Sequence, residues 1–141
     1  MIPPMKVLIV EDDFTARKMM LAYLSQHAQC DVAVNGKEAL RAFKEALIAQ
    51  VAYDLICLDI SMPEMDGQET LVALRQIEKE HGHLLGEGVK VIMTTALGDN
   101  NNIMTAFSAG CEAYLVKPIG RTKLLAQLEK LGLMPAPAGK P

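Results

Sequence analysis

Apolar positions in this chain follow two alternating patterns. Short runs such as Val7-Leu8-Ile9-Val10, Leu55-Ile56-Cys57-Leu58, 89–93 and Tyr114-Leu115-Val116 are apolar almost without interruption. Runs of that kind suit strands covered on both faces, as in a parallel sheet between two helical layers. The strands read this way span 6–10, 31–34, 55–58, 90–94 and 113–116. Between them, apolar residues recur every three or four positions, the period of one helix face. A first helix over 15–27 is expected to bury Met19, Met20, Tyr23 and Leu24. A second follows Asn35-Gly36 and carries Ala39, Leu40, Phe43, Leu47 and Ile48 inward. A third opens near Gly67 with Leu71, Leu74 and Ile77, and a fourth uses Ile103, Ala106 and Phe107 before stopping at Gly110, a residue suited to a helix C-terminus. The fifth carries Leu124, Leu125, Leu128 and Leu131.

Five strand–helix repeats are too few for an eight-stranded barrel, so the pattern predicts an open, doubly wound α/β sheet. A chain of 141 residues accommodates one domain with a single layered core. We assign the domain to 1–131 and read 132–141, rich in Pro, Ala and Gly, as a flexible tail.

Composition narrows the function. Half the residues are hydrophobic and the formal charge is −3, which excludes disorder and gives no electrostatic reason to expect nucleic-acid binding. No stretch has the length of a membrane span or the form of a signal peptide, so the cytoplasm is the expected compartment. Cys30, Cys57 and Cys111 are odd in number and lack a CxxC pair, as reduced structural cysteines do. His81-Gly82-His83 has no third ligand nearby and reads as a surface loop, and Gly86-Glu87-Gly88 neither follows a strand nor opens a helix, so it is not a nucleotide-binding turn.

Chemistry collects where the apolar runs stop. The first ends in Glu11-Asp12-Asp13, the third in Asp59 and the turn Ile60-Ser61-Met62-Pro63-Glu64-Met65-Asp66-Gly67, the fourth in Thr94-Thr95 and the fifth in Lys117-Pro118. In a doubly wound sheet these ends face one crevice. Two carboxylates about 4 Å apart repel by roughly 4 kcal/mol at an effective dielectric of 20. Convergence of Glu11, Asp12 and Asp59 therefore calls for a cation or for displaced pKa values. All the donors are oxygens, which favours a hard ion, and few carboxylates plus water suit Mg²⁺ better than Ca²⁺. Taken alone, the acidic triplet would serve equally as a helix cap. Asp59 and Lys117 are what the cap leaves unexplained.

In their order, Val7-Leu8-Ile9-Val10-Glu11-Asp12-Asp13, Asp59 with its turn, Met93-Thr94-Thr95-Ala96 and Tyr114-Leu115-Val116-Lys117-Pro118 resemble the receiver domain of bacterial two-component response regulators. The resemblance spans 6–131 and implies a flavodoxin-like fold, five parallel strands in the order 2-1-3-4-5 with five helices, an order carried over from a chemotaxis member of the family. It implies that Asp59 is a phosphoacceptor, receiving a phosphoryl group from a sensor histidine kinase or a phosphotransfer protein. Mg²⁺ would be held by Glu11, Asp12, Asp59 and the Ser61 backbone carbonyl. A register shifted by one, pairing Asp12 with Asp13, stays open; the basic Arg17, five residues after Asp12, favours Glu11 and Asp12.

By the same resemblance Lys117 pairs with the phosphoryl group, Thr95 is the switch hydroxyl and Tyr114 the aromatic that follows it. Ser61 and Leu97 flank the path of attacking water and tune the lifetime of the acyl phosphate. Output would pass to a downstream protein through the fourth helix, fifth strand and fifth helix, about 101–131, from a monomer or a phosphorylation-linked dimer. No direct nucleic-acid or membrane contact is implied, and the chain would catalyse only its own phosphorylation and dephosphorylation. The stretch 81–88 is longer than is usual in the family. A Mg²⁺-dependent phosphatase is the competing enzyme class; it commonly places a second acid two residues after its nucleophile, where this chain has Ser61.

Overall fold

The computed structural model describes residues 4–62, 64–83, 88–96 and 100–135. Its elements are β1 (Met5–Val10), α1 (Phe14–Leu24), β2 (Ala28–Ala33), α2 (Gly36–Ile48), β3 (Leu55–Asp59), α3 (Gly67–Glu80), β4 (Lys90–Thr95), α4 (Asn100–Ala109), β5 (Ala113–Val116) and α5 (Arg121–Lys130). The strands form one parallel sheet in the order β2-β1-β3-β4-β5, the order the resemblance implies.

Successive side chains of a strand point to opposite faces, so the unbroken apolar runs supply two cores. Leu8, Val10, Ile56, Leu58, Val91 and Met93 pack with Ala39, Phe43, Leu71, Leu74 and Ala106 on the α2–α3–α4 side. Val7, Ile9, Leu55, Cys57 and Ile92 pack with Met20, Leu24, Leu124 and Leu128 on the α1–α5 side. Asp13, Asn35 and Asp66 cap α1, α2 and α3, each accepting a hydrogen bond from a backbone N–H of the first turn, which satisfies donors the helix itself cannot.

The edges depart from the expectation. Helix α1 ends at Leu24, not at residue 27, and β2 begins at Ala28, not at residue 31. Gln29 and Asp31 are exposed while Ala28 and Cys30 are half-buried, so β2 lacks the continuous apolar run of a central strand. Strand β5 alternates too, with Ala113 and Leu115 buried and Tyr114 and Val116 exposed. Met19, Ile48 and Phe107, expected inside, lie on exposed helix surfaces. Leu133 and Met134 pack against the α1–α5 core, so the ordered unit runs past the boundary expected at 131. Cys57 and Cys111 are buried, Cys30 is half-buried, and all three are free thiols. Among the described residues no helix is long and apolar enough to cross a membrane.

Candidate functional site

The C-terminal ends of β1, β3 and β4 are adjacent, with Val10 in register with Leu58 and Asp59 with Thr94. Asp59 closes β3 and is 3% exposed. Beyond it the chain folds back sharply. The Ile60 N–H donates to the Thr94 carbonyl (3.0 Å) and the Gly67 N–H to the Ile60 carbonyl (2.8 Å). A Cβ at Gly67 would lie 2.3 Å from the Asp59 carbonyl oxygen and 2.8 Å from Ile60 Cα, a close approach between backbones that only glycine permits. Asp66 and Glu69 then start α3 with a reciprocal capping box. The backbone N–H of Ser61, itself exposed, donates to Asp59 Oδ1 at 3.2 Å.

Carboxylate oxygens of Glu11, Asp12 and Asp59 lie within 4.8 Å of one another. Asp13 is turned to another task, its carboxylate accepting from the Ala16 N–H at 2.8 Å. Of the two registers left open in the sequence, the grouping of Glu11 and Asp12 with Asp59 matches the first. Lys117 Nζ reaches both buried acids, 2.7 Å from Glu11 Oε1 and 3.3 Å from Asp59 Oδ2. Its backbone N–H donates to the Thr95 carbonyl at 2.7 Å, and the Lys117–Pro118 peptide is cis. Thr95 is buried at the end of β4, its hydroxyl 3.4 Å from the Ala96 carbonyl oxygen. Tyr114 lies on the outward face of β5, edge-on to Phe107 with ring centres 5.6 Å apart. Leu97 falls outside the described residues.

These contacts redistribute protons. Burial, then the hydrogen bond and charge of Glu11, push the Asp59 carboxyl up to about 7, against the pull of Lys117. Burial also raises Glu11, but hydrogen bonds with Lys117, Asp59 and the Asp13 N–H outweigh it and leave Glu11 below its usual value. Lys117, although desolvated, is held above the ordinary lysine value by the two acids. Near neutral pH the cluster is thus an ionised Glu11–Lys117 pair beside an Asp59 that still holds a proton part of the time. A divalent cation bound among these oxygens would displace that proton.

The sequence did not reveal what orders the loop. Arg17 Nη1 donates to the carbonyl oxygens of Glu11 (2.9 Å) and Asp12 (3.4 Å), contacts to main chain that residue types alone do not encode. The close approach at Gly67 was likewise legible only as a turn.

The family model of the response regulator receiver domain matches residues 7–129. The chain belongs to this family. It is a receiver, a signal-transduction module of two-component systems, with an acidic pocket of the kind that suits Mg²⁺. It is 33% identical over 128 residues to the chemotaxis protein CheY of Listeria monocytogenes, covering 89% of this chain and 97% of that protein. The transcriptional regulatory protein ResD of Bacillus subtilis is 34% identical over 127 residues, and there the receiver spans 89% of this chain but 47% of the relative. Other relatives are longer still, and the chain spans 6% of the hybrid signal transduction histidine kinase B of Dictyostelium discoideum.

Among solved structures, the receiver domain of Ssk1 from Saccharomyces cerevisiae, crystallised with the histidine phosphotransfer protein Ypd1, superposes with a TM-score of 0.80 at 28% identity, covering 99% of this chain and 96% of that one. The receiver domain of CKI1 from Arabidopsis thaliana, complexed with Mg²⁺ and BeF₃⁻, gives 0.76 at 27% identity and covers 89% and 90%.

Proposed function

We propose that Asp59 accepts a phosphoryl group from a phosphohistidine on a partner kinase or phosphotransfer protein and that the phosphorylated receiver binds a downstream protein. The observation that carries this reading is the pairing of a buried Asp59 with Lys117 in a pocket shared with Glu11 and Asp12. A carboxylate oxygen of Asp59 attacks phosphorus as the P–N bond to the donor imidazole breaks, and the departing ring nitrogen keeps the electron pair and takes a proton. Glu11, Asp12, Asp59 and the Ser61 carbonyl would hold Mg²⁺, whose charge offsets that of the phosphoryl oxygens. The cluster fits such an ion: its donors are all oxygens, and burial, followed by the neighbouring Glu11 carboxylate, raises Asp59, a bias against its ionised form that a cation offsets.

Each remaining residue has a part in this reading. Lys117 moves its ammonium from the free carboxylates to the phosphoryl group. Thr95 reports the new charge through its hydroxyl, and Tyr114 follows by turning inward from its present place against Phe107. Ser61, and Leu97 at the residue after Ala96, set access of water to the acyl phosphate. Leu97 has no hydrogen-bonding group with which to orient that water, which favours a long-lived phosphoryl group. The output face is α4–β5–α5. Two features support it: Tyr114 and Phe107 expose apolar surface there, and Thr95 and Lys117 stand at the strand ends that lead into it. The setting is the cytoplasm, where a kinase's phosphohistidine is available.

The competing phosphatase reading is tested by release of inorganic phosphate from a small acyl phosphate in the presence of Mg²⁺. A receiver keeps the first phosphoryl group on Asp59 while the carboxylate leaving group departs, so inorganic phosphate appears without a burst and only at the slow rate of its own dephosphorylation. Fast release over many equivalents, with no phosphoryl group retained on the protein, would contradict the proposal.

A further inference from the structure

Arg17 stands on the first turns of α1 beside three acids, yet among the described residues its guanidinium forms no ion pair. Its contacts are to the main chain and to one ring. Nη1 donates to the carbonyl oxygens of Glu11 and Asp12 at 2.9 and 3.4 Å, and the guanidinium carbon is 5.6 Å from the centre of the Phe14 ring. The Arg17 N–H donates to the Asp13 carbonyl at 2.9 Å. All three carbonyls of the loop joining β1 to α1 therefore point to Arg17. Two of the loop's side chains turn the other way: the Asp13 N–H donates to Glu11 Oε2 at 3.2 Å, and the carboxylates of Glu11 and Asp12 meet Asp59.

We propose that Arg17 is a positioning residue for the cation site, fixing the loop so that Glu11 and Asp12 converge on Asp59. The inference rests on the cation reading given above. Three consecutive acids on a short loop repel one another, and without a clasp on their carbonyls the loop would open to separate them. A guanidinium suits the clasp, since Nη1 carries two N–H donors for the two carbonyls and the planar group fixes their directions at little cost in side-chain freedom. Packing on Phe14 limits its motion further.

Geometry and charge make opposite predictions here. A cation five residues from a metal ligand, acting by charge alone, repels Mg²⁺, so its removal should tighten binding. Removal of a clasp should weaken binding, by about tenfold as for other supports of metal ligands. Calorimetric titration with Mg²⁺ of the wild type, Arg17→Met and Arg17→Lys separates the two. Arg17→Met keeps the apolar stem and is expected to bind Mg²⁺ about tenfold more weakly. Its loss of phosphorylation rate with a small acyl phosphate should be largest at low Mg²⁺ and shrink as Mg²⁺ rises, a split that a general loss of stability would not produce. Unchanged or tighter binding overturns the proposal. Arg17→Lys keeps the charge without the rigid planar group and is expected to weaken binding too; wild-type binding by it overturns the guanidinium clasp, and this variant decides the matter if Arg17→Met does not fold. A wild type that binds no Mg²⁺ is a different result, which removes the cation reading itself.

Discussion

Asp59 joins stability to function at the level of a single carboxyl. Its pKa in the folded protein is raised from 3.8 to about 7, first by burial and then by Glu11. Between those values the native state keeps a proton that the unfolded chain has released. The stability associated with neutral Asp59 is therefore complete below about pH 4 and is lost as pH rises through 7. Glu11, shifted downward by Lys117, contributes in the opposite sense, its share being lost as pH falls through its folded value. Urea denaturation without divalent cations should find Asp59→Asn more stable than wild type by about 2–4 kcal/mol at pH 8, with little difference at pH 4. Equal stability at pH 8 would contradict the shift. Most of this site was legible in the sequence because each residue ends an apolar run, so topology alone brings them together. The proton balance was not, since it depends on Lys117 Nζ reaching Glu11 at 2.7 Å.

One side chain ties several elements together at the far end of the sheet. Arg75 on α3 meets Glu78 (2.7 Å), the Val89 carbonyl (2.9 Å), the Gly110 carbonyl (2.7 Å) and Glu112 (3.0 Å). The two acids in turn accept from the strand entering β4, Glu78 from the Val89 N–H and Glu112 from the Val91 N–H, each at 2.7 Å. The network joins α3, the start of β4 and the turn from α4 to β5, where Gly110 takes φ +104°. Arg75→Ala would leave Glu78, 5% exposed, buried without a countercharge, and should cost about 3 kcal/mol. Urea denaturation checks this through a lower midpoint at an unchanged slope; a loss below about 1 kcal/mol would class the network with surface pairs.

Sequence reading saw none of this network, because Arg75 and Glu112 are 37 positions apart. The elements themselves divide by place in the sheet. Strands β1, β3 and β4 were legible because burial on both faces leaves an unbroken apolar run. Strand β2, at an edge, mixes exposed Gln29 and Asp31 with half-buried Ala28 and Cys30, so its first half, 28–30, read as neither helix nor strand.

The whole molecule is a two-sided core that brings four strand ends into one crevice and continues from that crevice into α4, β5 and α5. Thr95 and Lys117 belong to both regions, joined by the Lys117 N–H to Thr95 carbonyl bond of 2.7 Å. In the proposed switch, a phosphoryl group biases two packings of this face only as far as its contacts with those residues differ between them. Everything downstream depends on Asp59 becoming phosphorylated, and intact mass tests that most directly. After incubation with Mg²⁺ and a small acyl phosphate, the wild type should gain the mass of one phosphoryl group and Asp59→Asn should gain none. An unmodified wild type, or an equal gain by Asp59→Asn, would contradict the account.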